Sequence, residues 1–190
     1  MLGNGLESGG RLLESLAVQE ALLEMQVRSG VNQEGQLATK SGISGCLTRM
    51  GRKKDALRMD RQVYAGLVLV NGPLDQNTLT TAVCLANSLF DVQEFTELRT
   101  FLRERIPESR RTLGDHNFIT LKLQHLLARS LLCGRDAADT TQEIVDETEQ
   151  LLTDLTRTYR QIFGRQYPDT QGVEGDLETF RIWKAQSPFR

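Results

Sequence analysis

Three glycines that lie 42 and 50 residues apart along this chain are each followed six residues later by a threonine. The pairs are Gly72/Thr78, Gly114/Thr120 and Gly164/Thr170. When residues 72–91 are aligned with residues 114–133, a spacing of 42 residues, seven of twenty positions are identical, whereas average composition gives about one. The chain is therefore built from internal repeats, and this repeat length restricts the folds that it can adopt.

Each repeat carries two helical patterns of apolar residues. In the second repeat the first pattern consists of Leu79, Ala82, Leu85, Ala86 and Leu89, and the second of Phe95, Leu98, Phe101, Leu102 and Ile106. A period of about 34 to 47 residues with two helices is typical of helix-pair solenoids, in which neighbouring units cover each other's apolar faces. We therefore predict an all-α, right-handed α-solenoid of antiparallel helix pairs.

The glycine spacing also predicts how the chain is divided. We expect a flexible leader and an N-terminal capping helix in residues 1–29, followed by a repeat region in residues 30–171. The repeat region should contain three repeats and the start of a fourth, with the repeats at 30–71, 72–113 and 114–163. Residues 172–190 should form a C-terminal capping helix or tail, with Phe180, Ile182 and Trp183 as its apolar residues. The chain is consistent with a piece of a longer protein.

Two helices of the repeats are expected to be unusual. The second helix of the third repeat is predicted to run without interruption over 137–163, because this repeat is eight residues longer than its predecessor. In the second repeat, Pro107 falls inside the expected second helix. Since proline removes one backbone hydrogen bond and clashes with the preceding turn, we expect a kink or a break near residues 103–107.

Composition and charge exclude several function classes. The 190 residues are 39% hydrophobic and 25% charged, and the formal net charge is −2. No basic excess indicates nucleic-acid binding, and no window approaches the roughly 18 to 20 apolar residues that a membrane span requires. The N-terminal residues lack the layout of a signal peptide, so we expect a cytoplasmic protein.

No catalytic or metal-binding group is evident in the sequence. Cys46, Cys84 and Cys133 are far apart and fall in predicted helices, where we expect buried, reduced thiols. The chain has two histidines, and no His, Cys or carboxylate grouping has metal-ligand spacing. We therefore expect neither an enzyme nor a protein with a metal, a cofactor or a small-molecule substrate.

The repeats resemble tetratricopeptide repeats of kinesin light chain type, including divergent members from unicellular algae. The matching residues are Leu113, Gly114, Asp115, His116, Thr120, Leu121, Leu127, Ala128, Gly134, Phe163, Gly164, Pro168 and Thr170. The resemblance implies a scaffold that binds proteins in a concave groove. Where the family carries an asparagine that holds the backbone of a bound peptide, this chain has Gly42, Cys84 and Leu126. The asparagine on which the usual peptide clamp depends is therefore absent from these three positions.

The repeat geometry that the resemblance implies also indicates which residues line the groove. The expected peptide-binding residues are Lys122, His125, Leu126 and Arg129 in the third repeat and Val83, Asn87 and Phe90 in the second. Spacings of three and four residues place Lys122, His125 and Arg129 on one helical face. Such a face suits an acidic peptide, although an ordinary solvated helix face has the same composition.

We therefore interpret the chain as a noncatalytic scaffold that binds a peptide or protein segment, with an acidic segment as one candidate partner. One alternative is a structural or assembly subunit that docks through the long helix 137–163 and the C-terminal tail. Another is a regulatory arm of a larger enzyme.

Overall fold

The structure is a computed structural model that describes the backbone of residues 3–134 and 140–189 and the side chains of residues 10–134 and 140–189. Within these ranges the chain forms eight α-helices and no strand. The helices are α1 (Gly3–Arg28), α2 (Gln33–Arg49), α3 (Lys53–Asn71), α4 (Gln76–Asp91), α5 (Phe95–Leu113), α6 (Phe118–Cys133), α7 (Gln142–Phe163) and α8 (Pro168–Gln186). The predicted all-α class is confirmed.

The chain divides into two compact units, unit 1 (residues 1–93) and unit 2 (residues 94–190). In unit 1, α1 packs on α2, α2 on α3 and α3 on α4. Leu37, early in α2, packs against Val63 and Leu67, late in α3. Ser44, late in α2, donates a hydrogen bond of 3.2 Å to the carbonyl oxygen of Ala56, early in α3. These contacts make α2 and α3 an antiparallel pair.

Unit 2 is arranged in the same way around α6, which packs against α5, α7 and α8. Early in α5, Arg99 donates a 2.7 Å hydrogen bond to the carbonyl oxygen of Ser130, late in α6. The core between α6, α7 and α8 contains Leu121, Leu152, Tyr159 and Phe180, each at most 2% exposed. The unit therefore has an apolar interior that successive helices share.

The repeated glycines end the second helices in a conformation that only glycine adopts readily. Gly72, Gly114 and Gly164 have φ of 87°, 93° and 79°, with ψ of 163°, 162° and 166°. A side chain at such a backbone conformation is strained. In each case the glycine N–H still donates to the carbonyl oxygen four residues earlier, so the helix ends at this residue.

The repeated threonines lie near the start of the next helix and are fully buried. Thr78, Thr120 and Thr170 each have 0% exposure. The Thr120 hydroxyl lies 2.7 Å from the Ser109 hydroxyl of α5, and the Thr170 hydroxyl lies 3.5 Å from the carbonyl oxygen of Tyr159 in α7. The Gly–Thr motif thus ends one helix and packs the start of the next helix against it.

The predicted flexible leader is wrong for the backbone that the structure describes, because α1 begins at Gly3. Extending an existing helix fixes one residue for each hydrogen bond, which is far easier than starting a helix. The glycines in this segment therefore continue α1 toward the N-terminus.

Of the kink or break expected near residues 103–107, the break is wrong, since α5 continues to Leu113, and the kink stays a prediction. Pro107 lies on the exposed side of α5, while Leu102, Ile106 and Ser109 are buried around it. Packing on both sides of the proline holds the helix together despite one missing hydrogen bond.

The predicted start of the long helix near residue 137 lies outside the described residues, and the helix itself begins only at Gln142. Thr141 caps its N-terminus, accepting from the N–H of Ile144 at 3.4 Å. Thr140 donates a 3.1 Å hydrogen bond to the carbonyl oxygen of Gly134. These side-chain bonds favour a non-helical backbone at residues 140 and 141, so an uninterrupted helix over 137–163 is corrected to α7.

Three further side chains differ from expectation. Cys46 is buried as predicted, but Cys84 and Cys133 are exposed. Ile182, expected among the apolar residues of the last helix, is 53% exposed, whereas Phe180 is 1% exposed. The aromatic tail packs within unit 2, where the Trp183 ring lies 5.8 Å from Phe180 and 6.2 Å from Phe189.

Replacing the helix-ending glycine tests this account of the motif. We expect Gly114→Ala to destabilise the protein by about 1–3 kcal/mol, because its backbone conformation disfavours a side chain. No atom lies within 4 Å of the added Cβ, so a steric clash cannot explain the loss. Urea unfolding followed by circular dichroism measures the change. The control is Gly172→Ala in the open helical face of α8, where alanine should stabilise the protein by up to about 1 kcal/mol; equal effects at both positions would contradict the account.

Candidate functional site

Unit 1 contains a cavity of about 340 Å³ between α2, α3 and α4. Its apolar floor is formed by Leu37, Val63 and Leu67, all at most 7% exposed. The rim is formed by side chains of the two flanking first helices, α2 and α4. These are Glu34, Ala38, Ser41, Asn77, Thr80 and Thr81.

Small residues create this cavity. Ala38 and Ser41 project little from α2, so space remains between α2 and α4 above the floor. Gly66 lets α3 pack closely against Leu37 beneath this space, since a Cβ at position 66 would lie 2.6 Å from Cδ2 of Leu37. The cavity volume lies in the range of small-ligand and side-chain pockets, about 300–1,000 Å³.

Two of the hydroxyl groups around the cavity are engaged with the backbone of their own helix. Thr80 donates a 2.8 Å hydrogen bond to the carbonyl oxygen of Gln76, and Thr81 donates a 2.9 Å bond to that of Asn77. Glu34 is the one charged residue that lines the cavity, and its carboxylate accepts a 3.3 Å bond from Asn71. The site therefore offers an apolar floor with an acidic group at its edge.

The predicted basic face of α6 lies in unit 2, where its side chains already have acidic partners. Nζ of Lys122 lies 2.7 Å from Asp169 Oδ1, and Nε2 of His125 lies 2.7 Å from Asp176 Oδ2. Nε of Arg129 lies 3.8 Å from the same Asp176 oxygen. The two aspartates belong to α8, so a neighbouring helix supplies the negative charge that this face was predicted to seek in a partner.

The remaining predicted residues differ in exposure. Leu126 is 4% exposed and packs in the interior. In unit 1, Val83, Asn87 and Phe90 share one face of α4, where Asn87 is exposed and donates a 2.9 Å hydrogen bond to the carbonyl oxygen of Val83. A peptide-binding role for these side chains stays a prediction.

Sequence reasoning missed the cavity residues Ala38 and Ser41, although a signal for them existed. Ala38 and Ser41 lie 8 and 11 residues after Gly30, as Thr80 and Val83 do after Gly72 and as Lys122 and His125 do after Gly114. No comparable signal marked Asp169, because its partner lies 47 residues away in another helix.

Two titratable side chains have shifted pKa values, and both shifts keep the group neutral. The Cys84 residue is exposed, yet neighbouring atoms partly desolvate its thiol, which raises its pKa, and the carboxylate of Asp60 raises it further. Burial raises the pKa of Tyr159 well above its usual range, with the charge of Asp169 as a smaller cause. Neither group is an activated nucleophile at neutral pH, since activation requires the charged form.

Two kinds of feature are absent from the described part of the chain. No group of three or more His, Cys, Asp or Glu side chains there is arranged to hold a metal ion. None of its helices combines the length and apolar character needed to cross a bilayer.

Comparison with known proteins identifies the fold. No protein-family model matches the chain, and no curated protein matches it. A Podosopora anserina protein described as a kinesin light chain with nearly identical TPR-like repeats is similar in two crystal structures. One of them, a structure of a substituted variant, has a TM-score of 0.74 at 18% identity over 97% of this chain and 84% of that one. The other has a TM-score of 0.67 at 17% identity over 100% of this chain and 94% of that one.

A third similar structure is BtubC (BKLC) from P. vanneervenii, with a TM-score of 0.68 at 12% identity over 90% of this chain and 66% of that one. The fold is thus an α-solenoid of tetratricopeptide-like helix pairs, as predicted. The resemblance to repeats of kinesin light chain type is confirmed at the level of the fold.

The pairing between α6 and α8 can be measured by a double-mutant cycle. We expect Lys122→Met and Asp169→Asn to be coupled by about 0.5–1 kcal/mol in unfolding free energy, because both side chains are about a quarter exposed. The control is the ion pair between Arg157 and Asp154, whose side chains are 69% and 43% exposed. It should give a coupling energy near zero. Coupling at Lys122 and Asp169 no larger than in the control would mean that the basic face of α6 is not held by α8.

Proposed function

We propose that the protein is a noncatalytic scaffold that binds a segment of a partner protein, with the cavity of unit 1 as the principal binding site. Tetratricopeptide-like repeats are built of stacked helix pairs that expose extended surfaces for partners. The observation that carries the proposal is an open apolar floor between two first helices. We propose the cytoplasm as the place where it acts.

The chemistry of the cavity indicates the kind of segment that fits. Leu37, Val63 and Leu67 favour one aliphatic side chain, because burying its apolar surface contributes about 25 cal/mol per Å². Glu34 at the rim favours a neighbouring lysine or arginine. The proposed ligand is therefore a short segment that carries an aliphatic residue next to a basic one.

An acidic partner at the basic face of α6 is the second candidate. Arg129 is the residue that supports it, because its side chain is 39% exposed and its guanidinium lies 3.8 Å from Asp176. An acidic peptide there competes with Asp169 and Asp176 for the same cations. We therefore rank this site below the cavity.

Labelled peptides test the proposal. A fluorescein-labelled hexapeptide library with one central leucine or isoleucine, flanked by lysine in one half and by glutamate in the other, is titrated by fluorescence anisotropy. We expect the lysine-flanked peptides to bind with roughly micromolar affinity. Ala38→Trp should weaken their binding at least about tenfold by filling the cavity, and Glu34→Gln should weaken it by up to about fivefold.

Leu69→Trp is the matched control, because Leu69 is 83% exposed on α3 and does not line the cavity. The affinity of this variant for the lysine-flanked peptides should equal that of the unmodified protein. If Ala38→Trp also binds these peptides as tightly as the unmodified protein does, the cavity is rejected as the site. Preferred binding of glutamate-flanked peptides, lost when Lys122 and Arg129 are both replaced by glutamate, would instead support the face on α6.

A further inference from the structure

The lysines and arginines of unit 1 are concentrated in one short segment. Residues 1–93 contain nine lysines and arginines and nine aspartates and glutamates, so their charges balance. Six of the nine basic residues nevertheless lie within residues 49–61, which contain only two acidic residues. This segment runs from the last residue of α2 to the middle of α3. The positive charge of unit 1 is therefore gathered at the start of α3.

Four of these side chains form a row, the basic strip, which consists of Arg52, Lys54, Arg58 and Arg61. Arg52 is the N-cap residue of α3. Lys54, Arg58 and Arg61 follow at spacings of four and three residues, which place them on one face of the helix. All four residues are exposed. At a rise of about 1.5 Å per residue, the strip is roughly 14 Å long.

The two acidic residues of this segment leave the strip positively charged. Asp60 is 4% exposed and accepts a 2.5 Å hydrogen bond from Ser88, so it belongs to the interior contact between α3 and α4. Asp55 accepts one 2.9 Å hydrogen bond from Arg52 and another of 2.9 Å from Arg58. The side chains of these two arginines are still 50% and 72% exposed. One carboxylate therefore holds two guanidinium groups in place and neutralises only one of them.

The packing of the repeats does not require these cations. Counted 42 residues further along the chain, the positions of Lys54, Arg58 and Arg61 are occupied in α5 by Thr96, Thr100 and Arg103. Counted another 50 residues along, they are occupied in α7 by Asp146, Gln150 and Thr153. All of these residues are exposed. The second helices of the other repeats thus fold with one cation or none on this face, and the charge on α3 is free to serve another purpose.

We propose that the basic strip binds an extended acidic segment of a partner protein. Every second side chain of an extended chain points to the same side, and such side chains are about 6.6 Å apart. The rise along α3 is about 6 Å from Lys54 to Arg58 and about 4.5 Å from Arg58 to Arg61. Alternate carboxylates of one segment can therefore each meet one cation. Arginine favours such a ligand, because its guanidinium donates paired hydrogen bonds to a carboxylate.

The size of the strip favours a polypeptide segment over a nucleic acid or a membrane. Its length of roughly 14 Å corresponds to about four residues of extended chain. A specific DNA interface buries about 600 Å² or more of protein surface, and a membrane presents its anionic groups over a plane, whereas the strip is a single row on one helix. The inference is independent of the cavity in unit 1, because no residue of the strip lines that cavity.

Fluorescence anisotropy tests the proposal with a fluorescein-labelled hexapeptide of alternating glutamate and serine, at protein concentrations up to about 1 mM. We expect the peptide to bind, and its affinity to fall at least about threefold when NaCl is raised from about 50 to about 200 mM. A peptide of alternating lysine and serine should not bind. Lys54→Glu combined with Arg58→Glu should weaken binding of the glutamate peptide at least about tenfold, because like charges then face each other.

The matched control combines Arg111→Glu with Arg157→Glu, which changes the total charge by the same amount. Arg157 lies 2.8 Å from Asp154 and its side chain is 69% exposed, much as Arg58 lies 2.9 Å from Asp55 and is 72% exposed. Arg111 is exposed on α5. This control variant should bind the glutamate peptide as the unmodified chain does. Circular dichroism of both double variants checks that they are folded.

Four results would overturn the proposal. They are absence of peptide binding, equal loss of binding in the strip variant and the control variant, loss of binding that instead follows replacement of Lys122 and Arg129 by glutamate, and sedimentation with phosphatidylserine vesicles by a chain that does not bind the peptide. Ala38→Trp should leave binding of the glutamate peptide unchanged, so a failure of the cavity as a binding site and a failure of the basic strip are distinguishable.

Discussion

The connection between one helix pair and the next depends on a backbone conformation that is open to glycine and costly for other residues. Gly72, Gly114 and Gly164 all end a helix with positive φ and extended ψ. Six residues later a buried threonine fixes the start of the following helix. Since two helices alone leave an apolar face uncovered, this repeated turn decides whether successive pairs meet at all.

Given the turn, each interior is built by successive helices that pack on one another. In unit 1 the residues Leu16, Leu47 and Ala56 of three successive helices form one cluster. In unit 2, α7 covers α6 in the same way, with His125 and Tyr159 in ring contact at 6.3 Å between centroids. At the positions where α6 carries Leu121, Leu126 and Leu131, α8 carries Gln171, Asp176 and Arg181.

The periodicity of apolar residues was sufficient to predict the helix pairs and the fold class, because burial imposes the same spacing in every repeat. Helix ends were less predictable. The start of α7 depends on the side chains of Thr140 and Thr141, which bond to nearby backbone atoms. Likewise, Pro107 is tolerated because the residues around it are packed. Such local competition between side-chain bonds, packing and helix propensity leaves no period in the sequence.

The functional surface was harder to predict for a related reason. Groove residues of one first helix face those of the next first helix, so their chemistry is set by pairs of helices. Lys122 and His125 lie on one face of α6, and the carboxylates of Asp169 and Asp176 contact them from α8. In unit 1 the corresponding positions on α2 are small, and the hydroxyls of Thr80 and Thr81 are bonded to their own helix. Unit 2 therefore pairs the basic side chains of its predicted groove internally, whereas the floor of the cavity in unit 1 is apolar.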